Sequence, residues 1–433
     1  MHREKKFAFV YLVLLIAVGA AVYGRLIWLV YSGRLFLVQI GDQLYFPDFV
    51  SFYGTSSLIF STGAAGSIYD PQLQGEAIRA AMPSHPPAVI NLVAYPPFFF
   101  TAIAPLAWFT LTQAWWLWCL FGAACMLASF KFLLQNAPFD KVTKAAIIVG
   151  GFVAYPTWLC FRIGQTSLLV FAIFVASWWF LRRQNAFRSG CAAALSLFKL
   201  QYAPIFALAG ALVGRIRYVA GFAIIALVLF LISLIAPGWS SWTQYPGALR
   251  YTETHGSSGV SESEMQNFRG QLLLWTHNRD VAGKISVAVF IITALGIALL
   301  WSRVFPKLNQ RDPRAFEFCA SLSALAILTT SFHAHVQDYV VALLPCIWLF
   351  TWIASQRTGT AAPWLRLSLT CAIAGFPFLS WVLWQFAERL KHDYRVQPFF
   401  VWAIGTEILA LLCLRKSLAQ IGGGGQSSAA PNL

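Results

Sequence analysis

The sequence predicts an all-α polytopic integral membrane protein with about 12 transmembrane segments and a long first outer loop. Of its 433 residues, 58% are hydrophobic and 11% are charged, and this charged fraction is less than half that of soluble domains, about 25%. Such a chain carries too few charges to coat a water-facing surface, and its apolar content excludes a disordered protein. The net charge of +15 lies between long apolar runs, which favours a membrane protein over a nucleic-acid-binding one.

Apolar runs along the chain predict the individual membrane helices, because a helix needs about 20 apolar residues to cross the hydrocarbon core. These runs are 7–30, 114–133, 143–160, 166–181, 218–236, 281–302, 315–332, 339–355, 366–385 and 398–414. The apolar stretch 96–110 is broken by prolines, and 189–213 holds Lys199 and Pro204 near its middle. We therefore expect an interfacial or re-entrant helix at 96–110 and a hairpin of two short helices at 189–213.

The distribution of Lys and Arg predicts the orientation of the chain. Short basic loops lie in the cytoplasm, and all of these loops fall on one side when the two interrupted stretches are placed as above. Both termini are then cytoplasmic, the long loops 31–95 and 237–280 lie outside, and the net charge of +15 falls on the cytoplasmic side. We expect a multi-pass protein of the inner (plasma) membrane, with one transmembrane domain over 1–415 and a flexible cytoplasmic tail at 416–433.

The first outer loop carries two acidic residues just beyond the first span, Asp42 and Asp48. Asp48 precedes apolar and aromatic residues that predict a short amphipathic helix along the membrane surface. A carboxylate at the start of a helix is favoured by the helix dipole and can act as an N-cap. The residues therefore leave two interpretations of Asp48 open, a helix cap and a catalytic group. Further along, Phe98–Phe100 fit an aromatic belt at the membrane interface.

Short motifs occur along the chain in an order that resembles glycosyltransferase family 87. They are Asp48-Phe-x-x-x-Tyr53, Tyr69-Asp70-Pro71, Tyr95-Pro-Pro-Phe98, Gly164-Gln165, Lys199 followed by Pro204, Gln266-Asn-Phe-Arg-Gly270 and the segment Ser331–Tyr339. The spacing between Lys199 and Pro204 is wider than the family's, and Phe332 stands where the family has proline. The resemblance spans residues 40–345.

The resemblance implies an inverting mannosyltransferase of the GT-C superfamily that uses a polyprenyl-phosphate sugar at the outer membrane face. Asp48 is then the expected general base, Asp42 is its alternative, and His335 is expected to orient a substrate during catalysis. A phosphate leaving group needs nearby cations, and an intramembrane lysine such as Lys199 favours a functional role. The expected substrate-binding residues are Tyr53, Tyr95, Arg162, Gln165, Lys199, Asn267, Arg269, His333 and Asp338.

The expected partners are a polyprenyl-phosphate sugar donor, a lipid or glycan acceptor of cell-envelope glycolipid biosynthesis, and membrane lipids, without nucleic acid. No cofactor is expected: His333-x-His335 lacks a clear third ligand, which leaves a divalent metal open but unsupported. The inner loops lack a Gly-rich phosphate-binding loop, which argues against a soluble nucleotide-sugar donor.

Two other functions remain open at this point. One is a transporter or flippase for a lipid-linked or small anionic substrate, and the other is a non-catalytic membrane scaffold. Transporters place their sites at the bilayer midplane between related halves, whereas the carboxylates here are predicted at the outer face. The clustering of polar residues in the outer loops argues against a scaffold.

Overall fold

The computed structural model describes residues 2–40, 43–45, 47–61, 63–83, 90–254, 264–304, 313–355 and 363–423. Within these ranges the regular secondary structure is helical apart from two short strands that follow the first helix, and this confirms the prediction of a helical protein. The strands are β1 (Val38–Ile40) and β2 (Gln43–Tyr45), which pair in antiparallel fashion with Val38 opposite Tyr45.

Ten helices form the first half of the described chain and nine form the second. The first ten are α1 (His2–Tyr31), α2 (Asp48–Ser57), α3 (Pro71–Ala80), α4 (Pro97–Ile103), α5 (Leu111–Leu134), α6 (Lys141–Val153), α7 (Tyr155–Ile163), α8 (Ser167–Arg182), α9 (Ala186–Ala194) and α10 (Ala203–Ile235). The others are α11 (Gly238–Thr254), α12 (Phe268–Thr276), α13 (Arg279–Leu299), α14 (Pro313–Thr330), α15 (Leu343–Ser355), α16 (Pro363–Ala374), α17 (Phe376–Gln385), α18 (Ala387–Tyr394) and α19 (Pro398–Gly423).

Side-chain caps explain why several helices begin where they do. Thr110 accepts a hydrogen bond from the backbone of Gln113, whose side chain accepts one from the Thr110 amide, and this reciprocal box begins α5. Asp140 caps α6 and Asn278 caps α13 more simply, each through one side-chain oxygen that accepts a hydrogen bond from a backbone amide. The caps satisfy amides that would otherwise lack partners at the helix ends.

In the part of the chain that the structure describes, five helices are long and apolar enough to cross a membrane, and the number rises to eight if each bent helix pair counts as one span. The structure therefore supports a membrane protein, but it does not confirm the predicted count of 12 segments. The bent pairs are α6–α7, α16–α17 and α18–α19, with bends of 49°, 71° and 90°. In each pair a proline occupies the start of the second helix, where its missing amide and fixed φ are tolerated and the preceding helix ends.

The two interrupted stretches both contain short helices, as the sequence predicts. The segment Pro97–Trp108 is a short apolar helix of about 18 Å, too short to cross a core of about 30 Å. The predicted hairpin turns at Lys199, between α9 with its 3-10 extension and α10. Its second arm is short as well, because the helical geometry of α10 is broken at Arg215 (φ 50°, ψ −144°), which leaves 203–214 as a short helix before the kink.

Two further expectations concern aromatic residues and the tail. Phe98, Phe99 and Phe100 are buried in the core, so the prediction of an exposed interfacial belt is wrong. They pack inward because α4 is covered by α2 and α10. At the other end, α19 continues through Gly423, so the first part of the predicted tail is helical. Residues 424–433 lie outside the described ranges.

Candidate active site

A cavity of about 360 Å³ lies among segments that the sequence predicts outside the membrane. Predicted site residues that line it are Asp48, Tyr95, Gln165, Lys199, His333, His335 and Asp338. Other polar lining residues are Asn91, Gln201, Tyr245, Thr252, Glu264 and Gln337. Residues from five separate motifs in distant parts of the chain are thus brought to one site.

Asp48 is the first residue of α2, but its carboxylate forms no capping hydrogen bond with the start of this helix. The N-cap position belongs to Pro47, and no side chain caps this helix. The interpretation of Asp48 as a helix cap is therefore wrong. Its carboxylate oxygen Oδ2 accepts a short hydrogen bond from Nε2 of Gln165. The helix dipole still favours a negative charge in this first turn, but the carboxylate remains directed to the cavity.

The turn between α7 and α8 supplies the partner of Asp48. Gly164 ends α7 in the left-handed region with φ at 66°, and an added Cβ would lie 2.4 Å from Cβ of Phe49. Only glycine fits such a conformation and such a close approach. The next two residues, Gln165 and Thr166, contact each other and the cavity lining. Oε1 of Gln165 accepts a hydrogen bond from the Thr166 amide at 3.1 Å. The Thr166 hydroxyl lies 3.1 Å from the hydroxyl of Tyr95, which lines the cavity.

Lys199 and Asp338 form a buried ion pair in the cavity wall. Nζ of Lys199 donates to Oδ1 of Asp338 at 2.6 Å and to Oγ of Ser167 at 3.0 Å. The Asp338 carboxylate also accepts from the Ser167 hydroxyl at 2.6 Å and from the His335 amide at 3.0 Å. Burial lowers the pKa of Lys199, but Asp338 outweighs burial and holds this pKa above its ordinary value. Lys199 is therefore charged at neutral pH.

The electrostatics of the remaining groups suit proton transfer. Burial raises the pKa of Asp48, and this effect outweighs the Gln165 hydrogen bond and the charge of Lys199, which act in the opposite direction. Burial lowers the pKa of His335, and it lowers that of His333 to about 3. Both imidazoles are thus neutral at pH 7, while the carboxyl of Asp48 is a stronger base than an exposed one. A general base works best when its pKa lies near the operating pH.

A wall of stacked aromatic rings separates this polar cavity from an apolar groove. The rings of Tyr95 and Phe99 lie 4.5 Å apart, and that of Phe198 lies 5.9 Å from Phe99. On the other side lies a groove of about 340 Å³, which shares Phe198 with the polar cavity. It is lined by Phe98, Phe99, Ala102, Ile103, Leu106, Leu117, Trp118, Phe121, Leu169, Ile173, Leu195, Phe198 and Leu229.

The extended segment 90–96 forms another side of the cavity and is held by Gln74. The side chain of Gln74, 2% exposed, donates to the carbonyls of Ile68 and Val93 and accepts from the Val93 amide. Asp70 caps α3 and so sets the position of Gln74 one turn later. The sequence contained a signal for this arrangement in the Tyr69-Asp70-Pro71 motif, but the role of Gln74 was missed.

Tyr53 and Arg162 were predicted to bind substrate, but they do not line the cavity. The Tyr53 hydroxyl donates to the carbonyl of Phe109 at 2.8 Å. The buried guanidinium of Arg162 donates to the carbonyls of Leu35 and Leu37, just before the β1–β2 hairpin. These contacts fasten the segment 31–95 to the residues around it.

Asn267 and Arg269 also lie apart from the cavity lining. Oδ1 of Asn267 caps α12 through the Gly270 amide at 2.9 Å, and Nδ2 donates to the carbonyl of Ser331 at 2.7 Å. A Cβ at Gly270 would lie 2.1 Å from a backbone carbonyl, which explains the glycine. Arg269 lies in the first turn of α12, where its charge contributes to the low pKa of His333. Asp42 lies outside the described residues.

Besides Gln74, sequence reasoning missed two residues that the fold brings to the site. Ser167 joins the Lys199–Asp338 pair, and Glu264 lines the cavity while it binds Lys391 of α18 at 2.9 Å. Neither residue belongs to a recognisable motif. Among the described residues, no group of three or more His, Cys, Asp and Glu is placed to hold a metal ion.

Comparison with known proteins identifies the family. The model of glycosyltransferase family 87 matches residues 93–331, more than half of the chain. The chain belongs to this family. It is therefore a membrane glycosyltransferase, and GT-C superfamily membership is consistent with the match. No curated protein matches the chain.

The part of this glycosyltransferase that matches the family covers only some of the cavity. Tyr95, Gln165 and Lys199 lie within the matched residues. Asp48 precedes them and His335 follows them, so these two residues join the site through the fold.

Proposed function

We propose that this glycosyltransferase moves a sugar, with mannose the expected one, from a polyprenyl-phosphate donor to a lipid or glycan acceptor at the outer face of the membrane. The observation that carries the proposal is the position of the Asp48 carboxylate. It is not used as a helix cap, it lines a polar cavity, and an apolar groove adjoins that cavity.

Asp48 is proposed as the general base of an inverting displacement. Its carboxylate takes the proton of the acceptor hydroxyl while the hydroxyl oxygen forms a bond to the anomeric carbon. The bond between that carbon and the phosphate oxygen breaks, and polyprenyl phosphate leaves with the electron pair. The neutral imidazoles of His333 and His335 line the same cavity, where His335 is proposed to orient a substrate hydroxyl.

Lys199 is proposed to stabilise the negative charge that develops on the leaving phosphate. It lines the cavity, whereas Arg162 bonds to backbone carbonyls and lies outside the lining. Asp338 and Ser167 fix the direction of its ammonium group and keep the group charged. A preorganised cation at the point where charge develops is among the strongest contributions to catalysis. Tyr53, Asn267 and Arg269 do not line the cavity, and they are proposed to stabilise the segments that carry the lining residues.

The apolar groove is proposed to hold the first isoprene units of the donor. It adjoins the polar cavity through Phe198, so a lipid phosphate could place its head in the cavity and its chain in the groove. Tyr95 lies at the boundary and offers a stacking surface to a sugar ring. A soluble nucleotide sugar would leave such a groove unused.

The basic inner loops support a location in the inner (plasma) membrane with both termini cytoplasmic and the site outside. An outer site suits a lipid-linked donor, because soluble sugar nucleotides are cytoplasmic, and it suits an acceptor of cell-envelope glycolipid biosynthesis. The alternative function is a transporter or flippase. It is less well supported, because the charged groups gather at the predicted outer face rather than at the midplane.

An assay in proteoliposomes separates the two functions. The purified protein is mixed with radiolabelled polyprenyl-phosphate mannose and a panel of lipid and glycan acceptors. The proposal expects the label to become covalently bound to an acceptor with inverted anomeric configuration. Movement of intact donor across the bilayer without transfer to any acceptor would support the transporter instead.

A further inference from the structure

We infer that Gln165 is a positioning residue whose amide fixes the direction of the Asp48 carboxylate during proton transfer. This inference deepens the proposed function and rests on the assignment of Asp48 as the base. It also changes the role of Gln165, which the sequence had predicted as a substrate-binding residue.

The first argument is that the amide of Gln165 is held in one orientation. Its oxygen accepts from the amide of Thr166 at 3.1 Å, so its NH₂ group must face the other way. There it donates to Oδ2 of Asp48. Among the described residues no hydrogen bond to Oδ1 of Asp48 is seen, and Asp48 lines the cavity, so we assign Oδ1 as the acceptor of the substrate proton.

The second argument is that the turn carrying Gln165 is locked against α2, the helix that carries Asp48. Gly164 lies so close to Phe49 that an added Cβ would clash at 2.4 Å. The side chains of Phe49 and Trp118 pack at 6.2 Å, and the Trp118 indole donates to the Gly164 carbonyl at 3.0 Å. The turn and α2 therefore form one rigid unit, so the hydrogen bond transmits a fixed geometry.

The third argument is that the same turn organises the rest of the cavity. Thr166 contacts Tyr95, and Ser167 contacts both Lys199 and Asp338. Consecutive residues thus orient the base, the aromatic wall and the cation. Removal of one of these side chains should disturb its own partner and leave the others in place.

The pH dependence of activity tests this role. The charged and titratable groups that face Asp48 are His335, Lys199, Asp338 and Tyr95, with Glu264 in the same cavity lining. The hydrogen bond from Gln165 lowers the pKa of Asp48. Its removal should raise that pKa, so that the carboxylate becomes protonated, and inactive as a base, at a higher pH.

The experiment compares full-length Gln165→Leu with Thr166→Val, a matched change in the same turn that removes a different contact. Sugar transfer from radiolabelled polyprenyl-phosphate mannose is measured against pH in proteoliposomes. In Gln165→Leu, the pH at which kcat falls to half on the acid side is expected to rise by about one unit, which is a tenfold change in the ionisation constant of Asp48. Thr166→Val is expected to lower activity without moving the acid limb.

Each alternative outcome is informative. An unmoved acid limb in Gln165→Leu overturns the positioning role, and so does a folded, donor-binding variant that is inactive at every pH. If Gln165→Leu does not fold, Gln165→Met provides the same test, because it keeps an unbranched side chain of similar length but removes the amide that donates to Asp48. Activity that survives in Asp48→Asn would instead show that the proposed base is wrong, whatever Gln165 does.

Discussion

Nζ of Lys199 lies 2.6 Å from Oδ1 of Asp338, although the two residues are 139 positions apart in the chain. Their side chains are 6% and 3% exposed, so both charges are withdrawn from water. A buried ion pair rarely adds much net stability, because desolvation offsets the attraction between the charges. Its place in the wall of the polar cavity instead indicates a role in orienting the ammonium group.

The first prediction concerns the loss of this cation. Lys199→Met should abolish measurable sugar transfer, because the leaving phosphate loses its counter-charge. It should also lower the free energy of unfolding by about 3–5 kcal/mol, because Asp338 is left buried and unpaired. Thermal unfolding in detergent and the transfer assay measure the two effects separately.

The control is the double variant Lys199→Met with Asp338→Leu, which removes both charges. We expect it to recover most of the lost stability but none of the activity. Wild-type activity in the stable double variant would show that the pair serves folding alone.

The second prediction concerns the apolar groove. Ala102 lines it and has an exposed side chain, so Ala102→Trp should fill the groove without disturbing the core. The KM for a long-chain donor should rise about tenfold or more, since each buried methylene contributes about 0.8 kcal/mol and 1.4 kcal/mol equals a factor of ten. Donors with only two isoprene units should be affected less.

The matched control is Ala80→Trp, an exposed alanine at the end of α3 that lies outside the groove lining. It should leave the KM for both donors unchanged. An equal rise for long and short donors in Ala102→Trp would count against a chain-binding groove.

The third prediction is that Asn267 serves stability rather than substrate binding. Asn267→Ala removes both the cap of α12 and the bond to Ser331, and it should lower the free energy of unfolding by about 2 kcal/mol. Asn278→Ala, an exposed cap of α13, should cost about 1 kcal/mol. If Asn267→Ala raises the KM for the donor and leaves the free energy of unfolding unchanged, Asn267 binds substrate and this prediction is wrong.

The sequence predicted the helices well because membrane helices are governed by local hydropathy. The run 166–181 corresponds to α8 (Ser167–Arg182) within one residue at each end. The count of spans was less predictable, because prolines that bend a helix by 49° or 71° leave the hydropathy of a run unchanged. Whether such a pair crosses once depends on tertiary packing rather than on composition.

Only some of the site residues could be predicted, because their roles also depend on tertiary packing. Motifs identified Asp48, Gln165 and Lys199, which do meet in one cavity. Motifs could not distinguish a residue that lines the cavity from one that supports it, as Arg162 shows by its bonds to backbone carbonyls. That distinction depends on which way a side chain points once distant segments have packed. Glu264 was missed because its pairing with α18 has no local signature.

The fourth prediction is the pH dependence of the wild-type enzyme. Burial raises the pKa of Asp48 above its ordinary value of 3.8, so the base becomes protonated as the pH falls through this higher value. The kcat for transfer should therefore fall on the acid side with a midpoint above 3.8. Rates measured in proteoliposomes between about pH 4 and pH 9 provide the profile. A kcat that stays flat on the acid side would contradict a carboxylate base.

The most direct test of the central claim is sugar transfer by Asp48→Asn, with Asp70→Asn as the matched control. Both variants lose one carboxylate from the segment 31–95, and Asn can replace Asp70 as the cap of α3. We predict that Asp48→Asn inserts and folds normally but loses transfer by at least about a hundredfold, while Asp70→Asn retains it. Transfer by Asp48→Asn at the rate of Asp70→Asn would contradict the assignment of Asp48 as the catalytic base.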